Sequence, residues 1–189
     1  NNIRAPSYYE LYSIYGDDSL NPEKNISIEI GASSRLGIAT DLSLYAYLQP
    51  QENLIYYKAD TFKYSQANEN VFSGIAMAFK TDLRDFFWSI NASLNRSQKN
   101  KYQLGISPIK IVNNLKYSIS KTQIISLKNT FYSKRESFGN ITEPNRLNSA
   151  MDYTFELSKN IRSKIIGNFS FRSGQMMEER LQFILTGDI

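Results

Sequence analysis

The chain of 189 residues contains neither histidine nor cysteine. A thiol nucleophile, an imidazole base, a disulfide framework and a zinc site of the usual kind are therefore excluded, since each needs one of those side chains. The remaining groups with chemical potential are acids and tyrosines. Asp17 and Asp18, with Asn21 nearby, could offer oxygens to a hard cation such as calcium. The segment lacks the regular oxygen spacing and acidic last ligand of a dedicated calcium loop, so a plain turn is expected and no metal site. Asp152 and Glu156 fall on one face of a predicted strand about 14 Å apart, too far for a paired-acid mechanism. They read as charge facing a polar interior. Tyr8, Tyr9, Tyr12 and Tyr15 are amphipathic and low in conformational entropy, which suits an exposed loop that receives a ligand, with Asp17 and Asp18 as further candidate contacts on the same loop. The inventory is one for binding: no enzyme activity, catalytic residue or cofactor is expected.

Charge and hydropathy narrow the setting. Lys and Arg number 22 against 18 Asp and Glu, for a net charge of +4, but the cations are scattered singly or in pairs instead of forming the clustered footprint that contact with nucleic acid needs. No nucleic-acid partner is expected. Mean hydropathy is -0.42, and no apolar run approaches the ~20 residues of a membrane-spanning helix. Residues 1–9 lack the charged start and apolar centre of a secretory signal, so the chain either is cytosolic or begins in the middle of something larger. The 13 Tyr and 11 Phe, beside only 9 Gly and 5 Pro, favour strands and interfaces over a helical bundle.

The elements that must position these residues are strands. From Asn25 the chain alternates strictly, with Ile26, Ile28, Ile30 and Ala32 on one parity and Ser27, Glu29 and Gly31 on the other. The same period of two predicts strands over 42–49, 71–80, 86–95, 111–119, 123–135, 147–157 and 161–171, and a weaker one over 180–186. No helix competes after residue 25. Tight turns are expected at 36–37, 82–84, 120–121 and 158–160, and wider connections at 57–61, 97–110, 137–145 and 173–178. Short turns at one end and longer loops at the other, on strands of about 9 to 11 or more residues, fit a transmembrane β-barrel; a soluble sandwich predicts no such asymmetry. The strands on either side of 57–61 look extended well beyond a bilayer. Two further features point the same way. Aromatics gather near strand ends (Tyr56, Tyr57, Phe62, Tyr64, Phe86 to Trp88, Phe131, Tyr132, Tyr153, Phe155, Phe169, Phe171), as in an interfacial girdle. Glu29, Lys80, Lys116, Asp152, Glu156 and Lys164 all take the parity opposite to the apolar one. The predicted fold is all-β, an antiparallel up-and-down meander of about nine strands forming part of a larger transmembrane barrel.

The opening segment is the most specific stretch. It reads Ile3-Arg4-Ala5-Pro6, then Glu10-Leu11-Tyr12, then Tyr15-Gly16-Asp17-Asp18-Ser19-Leu20-Asn21-Pro22-Glu23-Lys24, followed by a strand carrying Glu29 and Gly31. This succession resembles the C-terminal barrel region of TonB-dependent outer-membrane receptors, in which an Arg-Ala-Pro strand end leads into an outer loop with a Leu-x-Pro-Glu sequence and then a strand reading Glu-x-Gly. The resemblance continues through Asn53-Leu54-Ile55-Tyr56 and the strand around Gly74, where Ala76 stands in place of the family's usual Glu. It is nearest the cobalamin and ferric-siderophore receptors. On the residues themselves, Pro6 suits the point where a strand leaves its ladder and Pro22 presets a turn.

The resemblance implies that residues 1–24 are a strand end and extracellular loop and that 25–189 are barrel strands, the whole being a C-terminal segment cut at both ends, with residues 185–189 leading into a loop. It also implies active uptake of a scarce nutrient (siderophore-bound iron, cobalamin or haem) across the outer membrane of a Gram-negative bacterium. The implied partners are outer-membrane lipid, the small nutrient, an N-terminal plug domain of the same protein, and the inner-membrane energiser TonB, contacted through a segment not in this chain. About nine strands cannot close a barrel of about 22. A passive outer-membrane pore, or a secreted soluble β-domain binding carbohydrate or protein through Tyr-rich loops, are the alternatives.

Overall fold

The computed structural model describes residues 2–58, 60–97, 106–137, 141–158, 161–173 and 175–187. Among them are thirteen strands and one short helix: β1 (Asn2–Arg4), α1 (Tyr8–Tyr12), β2 (Glu23–Asn25), β3 (Ile28–Arg35), β4 (Thr40–Lys58), β5 (Lys63–Leu83), β6 (Phe86–Ser97), β7 (Ile109–Ser118), β8 (Gln123–Tyr132), β9 (Arg135–Ser137), β10 (Ile141–Glu143), β11 (Arg146–Ser158), β12 (Ile161–Arg172) and β13 (Gln175–Gly187). Eleven strands form one antiparallel sheet in the order β1-β2-β4-β5-β6-β7-β8-β11-β12-β13, with β3 also paired to β4; β9 and β10 make a separate hairpin. Neighbours in the sheet follow chain order, as the meander predicts. Parts of the expected connections at 57–61, 97–110, 137–145, 158–160 and 173–178, and the last two residues, lie outside the described residues.

The nine long strands occupy the nine predicted runs, with three differences. First, β2 and β3 share one register against β4, Lys24 opposite Glu52 and Ile28 opposite Leu48, but are separated at Ile26 and Ser27. Pro50 is the reason. Ile26 donates its N–H to the Pro50 carbonyl at 3.1 Å, and Pro50 has no N–H to return the bond. Second, β13 starts at Gln175 and runs to Gly187, so the wide connection expected at 173–178 is absent and residues 185–187 are strand. Ser173 turns the chain with φ of 50°, and the β12 ladder extends through Glu178 opposite Ser170 and Gln175 opposite Arg172. Third, the opening segment is more than a strand end and loop, since it contains α1 and the β1–β2 ladder.

Strand β4 has 19 residues and β5 has 21. Their register holds from Thr40 opposite Thr81 to Lys58 opposite Lys63, whereas β3 pairs β4 only up to Leu48. The hairpin therefore projects about ten residues, ~33 Å along the strand, past the end of β3.

Cross-strand register makes the two faces of the sheet consistent from one edge to the other. One row runs Glu29, Tyr47, Gly74, Asn95 across β3 to β6; another runs Phe87, Lys116, Ser126, Asp152, Ile166 from β6 to β12. All six charged residues expected on one side share this polar face. Lys164 pairs with Asp152 there at 3.5 Å, and Lys80 lies over the Phe87 ring, 5.7 Å from its centroid. The opposite face carries Ile28, Ile30, Leu44, Leu48, Ile75, Met77, Leu94, Met151, Leu181 and Phe183, all exposed. Glycines serve the polar face as seats for tyrosine rings. Gly31 lies opposite Tyr45 and Gly74 opposite Tyr47, and a Cβ on Gly74 would meet the Tyr47 ring at 2.5 Å. Tyr47, laid over Gly74, donates its hydroxyl to Asn95 at 2.8 Å.

This is not how a water-soluble domain buries surface. The accessible area is 13009 Å², against roughly 9,200 Å² for a compact soluble monomer of this mass. Only Leu20, Ile55 and Ala67 are buried apolar residues among those described, fewer than the buried polar ones. A sheet with one apolar face uncovered and its polar face turned the other way is the wall of a barrel in lipid. Replacing Met77 by Arg on the apolar face should cost ~2–4 kcal/mol in vesicles if the site lies near the bilayer midplane, and Asn91→Arg on the polar face far less. Guanidinium unfolding of the full protein in lipid vesicles measures both; equal losses would contradict the assignment of faces.

Candidate functional site

The residues singled out near the N-terminus converge on one lobe that lies along the projecting hairpin. Its centre is the Arg4 guanidinium. Arg4 Nε donates to Glu23 Oε2 at 2.5 Å, and Nη1 donates to both Glu10 carboxylate oxygens at 3.0 and 3.1 Å. Glu23 uses its other oxygen to accept the Ile55 N–H at 2.6 Å. That amide is available because Asn53 adopts a left-handed backbone, φ 56°, a conformation Asn tolerates better than most residues. Glu10 closes a capping box on α1: its side chain accepts the Ser7 N–H at 2.7 Å while Ser7 Oγ accepts the Glu10 N–H at 3.2 Å. One cation thus ties β1, the helix cap, β2 and β4 together.

These contacts set the protonation of the cluster. The hydrogen bond from Arg4 to Glu23 is the largest influence holding the guanidinium's pKa above its ordinary value. For Glu10, burial is the largest influence and opposes ionisation, but the Ser7 backbone and hydroxyl bonds with Arg4 outweigh it, and the carboxyl titrates below its ordinary 4.5.

Around this anchor the chain is fitted closely. A Cβ on Gly16 would lie 2.5 Å from the Leu11 carbonyl oxygen, so the turn after α1 requires glycine. Leu20 is buried. Gln66 on β5 brackets Asn21, accepting its N–H at 3.1 Å and donating to its carbonyl. Pro22 presents its carbonyl to Asn53 Nδ2 at 3.4 Å. Ala5 is exposed and Pro6 half-buried, at the point where the chain leaves β1. Tyr64 donates its N–H to the Tyr15 carbonyl at 2.8 Å, and Lys63 Nζ reaches the Gly16 carbonyl at 3.3 Å. Tyr64 and Gln66 share strand parity with Gly74 and Lys80, so the lobe rests on the polar side of β5.

The four predicted contact tyrosines divide into two kinds. Tyr9 and Tyr15 pack with Tyr57 and Tyr64, at centroid distances of 6.5 Å for Tyr9 with Tyr15, 6.2 Å for Tyr9 with Tyr64, 6.1 Å for Tyr15 with Tyr57 and 5.5 Å for Tyr57 with Tyr64. Tyr57 and Tyr64 therefore belong to this cluster, far up the hairpin, and not to a girdle at a bilayer interface. Tyr8 and Tyr12 touch each other with tilted rings, centroids 5.0 Å apart, and are left outward, 80% and 62% exposed. Asp17 accepts the Ser19 hydroxyl at 2.6 Å and its N–H at 2.9 Å, which lowers its pKa; Asp18 is exposed. Asp17 is thus engaged in a turn. Among the described residues no three acids are gathered as a metal site would need. Glu29, Gly31 and Gly74 lie on the barrel wall, apart from this lobe.

Sequence reasoning missed the convergence of Arg4, Glu10 and Glu23, and the roles of Asn53, Tyr57, Tyr64 and Gln66. The Ser7-x-x-Glu10 spacing is a capping-box signature and marks α1; nothing local marks the rest.

No family model matches the sequence, and no curated protein does either. Solved structures do. The copper transporter OprC aligns with a TM-score of 0.72 at 11% identity, over 98% of this chain and 36% of that one. The siderophore receptor PirA from Acinetobacter baumannii aligns with a TM-score of 0.64 at 15% identity, over 81% of this chain and 28% of that one. The fold of this chain is that of part of these proteins, an antiparallel meander belonging to a larger transmembrane β-barrel. The chain spans about a third of the length of these structures.

Arg4→Gln should release the lobe. Hydrogen bonds to charged groups contribute ~1.5–3 kcal/mol, discounted toward ~1–2 because the Arg4 side chain is 47% exposed. Faster hydrogen exchange at Leu11 and Asp17, whose amides bond to Ser7 and Glu10, measures the loss. The Glu10 contribution has a definite sign: its folded pKa is depressed, so the stabilisation is fully present above pH ~4.5 and is lost as pH falls through the folded value. Protection should hold from pH 7 to about 5 and fall below 4.5 in the wild type, and Arg4→Gln should reduce that dependence to the part that the Ser7 hydrogen bonds still supply.

Proposed function

We propose that this chain is a C-terminal segment of the barrel of an outer-membrane receptor that takes up a scarce nutrient actively, energised by TonB from the inner membrane of a Gram-negative bacterium. The observation that carries this reading is the single sheet with an uncovered apolar face, a polar opposite face and a tyrosine-bearing lobe anchored beside the tallest hairpin on the polar side. The lobe supports a receptor over a passive pore, because its Arg4, Glu10 and Glu23 contacts rigidly present Tyr8, Tyr12 and Asp18 to incoming ligand. Rigid aromatic contacts of this kind bind with little entropy loss. Tyr9 and Tyr15 act as their support.

In this reading residues 2–25 form the ligand-receiving lobe and the strands from β3 onward form the wall. The sheet's two outer strands present unpaired backbone, which lipid does not tolerate; further strands of the same protein pair with them, and a plug domain fills the lumen. The nutrient class, whether a siderophore complex, cobalamin or haem, depends on plug and loop residues together with the lobe.

The test is uptake in cells expressing the full protein. With the matching nutrient supplied as a radiolabelled sole source, uptake should require the protein and stop when TonB is deleted. Tyr8→Ala with Tyr12→Ala should weaken uptake at limiting concentration about tenfold or more while outer-membrane levels of the protein stay unchanged. Uptake that persists without TonB would support the passive pore instead, and recovery of the protein in buffer without detergent would overturn the barrel.

A further inference from the structure

The polar face is not uniformly charged. Near the short turns cations and acids alternate, as in Lys116, Asp152, Lys164 and Glu156. Toward the opposite end of β8, β11, β12 and β13 the balance changes. One row across these strands reads Lys128, Ala150, Asn168, Arg180; the next reads Thr130, Asn148, Ser170, Glu178; the third begins at Lys110 on β7 and reads Tyr132, Arg146, Arg172. Five cations thus face a single acid, Glu178. A recess of about 310 Å³ opens among these rows, lined by Lys128, Arg146, Asn148, Asn168, Glu178 and Arg180.

The charges in this recess are only partly answered. Glu178 reaches Arg180 at 3.5 Å, Arg146 spends its Nε on Asn148 Oδ1 at 2.9 Å, and Ser170 donates its hydroxyl to the same Asn148 oxygen at 3.0 Å. Asn148 is therefore engaged as an acceptor. Among the described residues neither Arg146 nor Lys128 makes an ion pair. Like charges gathered on one wall repel one another, and a recess bounded by protein focuses their field. An anion relieves that repulsion.

We infer that this recess is a binding site for a small ligand bearing two or more carboxylate or phosphate groups. Lys128 and Arg180 stand on strands three ladders apart, ~14 Å between backbones, and long side chains close part of that gap. A single small anion cannot meet both, whereas a polyanion can. Arg146 offers a planar fork suited to a carboxylate or phosphate pair of oxygens. The inference rests on the reading above, in which the polar face lines the lumen, and gives the transported ligand, or its carrier, anionic character.

The test is calorimetric titration of the full-length protein in non-ionic detergent with citrate, and with inorganic phosphate as the singly sited comparison. Saturable citrate binding is expected, stronger than phosphate and weakened as salt rises, because the contacts are ionic. Lys128→Gln with Arg180→Gln should lower citrate affinity tenfold or more, Lys128→Arg should retain it, and Lys116→Gln, at the far end of the same face, should leave it unchanged. Heat-dependent migration in gel electrophoresis, retained in each variant, shows that the barrel has folded. Absent citrate binding in the wild type, or equal binding in the double variant, overturns the inference. Either result in a protein still recovered from the outer membrane leaves the receptor reading standing, whereas loss of outer-membrane recovery fails that reading while the titration still decides the recess.

Discussion

Everything in this structure follows from the need to satisfy backbone hydrogen bonds in a sheet whose apolar side chains have no protein to pack against. A strand in lipid cannot leave its N–H and C=O groups unpaired, so each long strand between β3 and β13 holds an extended ladder on either side, and the β4–β5 ladder holds its register over its whole described length. Because the side-chain period is two, that fixed register sorts every residue onto one face or the other. A slip of one position anywhere would place Lys80 or Asp152 against hydrocarbon and Met77 or Met151 in the lumen. The sorting is therefore strongly enforced, and it explains why an average hydropathy that looks soluble belongs to a wall with one predominantly apolar side.

The departures from a plain wall occur where function is expected. Pro50 removes one donor from β4, splits the strand beside it into β2 and β3, and marks the level above which the sheet becomes a projecting hairpin. Asn53, three residues later, takes a left-handed turn that offers the Ile55 amide to Glu23. Those two residues convert a continuous barrel strand into a platform. Arg4 then fastens the lobe to it with two carboxylates, one of which also caps α1. The lobe is held by these polar contacts together with buried Leu20 and the packing of Tyr9 and Tyr15 on Tyr57 and Tyr64.

How much of this was legible in the sequence depends on the range of the signal. Alternation is local, so the nine long strands, their faces and the common parity of Glu29, Lys80, Lys116, Asp152, Glu156 and Lys164 could be read directly. The start of β13 could not: Gln175 to Arg180 contains no clean alternation and two adjacent acids, and it forms a strand because β12 supplies the ladder. Helix α1 has only five residues, too few for a periodic signal, and its one clue is the Ser7 to Glu10 spacing. The meeting of Arg4 with Glu10 and Glu23, and of Tyr9 and Tyr15 with Tyr57 and Tyr64, needs the tertiary fold. So does the cationic recess, whose members look scattered along the chain and gather only when register brings Lys128, Arg146 and Arg180 onto neighbouring strands.

The central claim is that one face of this sheet meets lipid and the other meets water, and the lack of cysteine in the chain lets that be measured residue by residue. Nitroxide labels placed singly at residues 75 to 79 of β5 in the full protein, reconstituted in vesicles, report collision with oxygen, which concentrates in hydrocarbon, and with a water-soluble nickel chelate. The account predicts strict alternation, with labels at Ile75→Cys, Met77→Cys and Phe79→Cys favouring oxygen and those at Ala76→Cys and Ala78→Cys favouring the chelate. Uniform access of the chelate to all five positions, or alternation in the opposite phase, would contradict it.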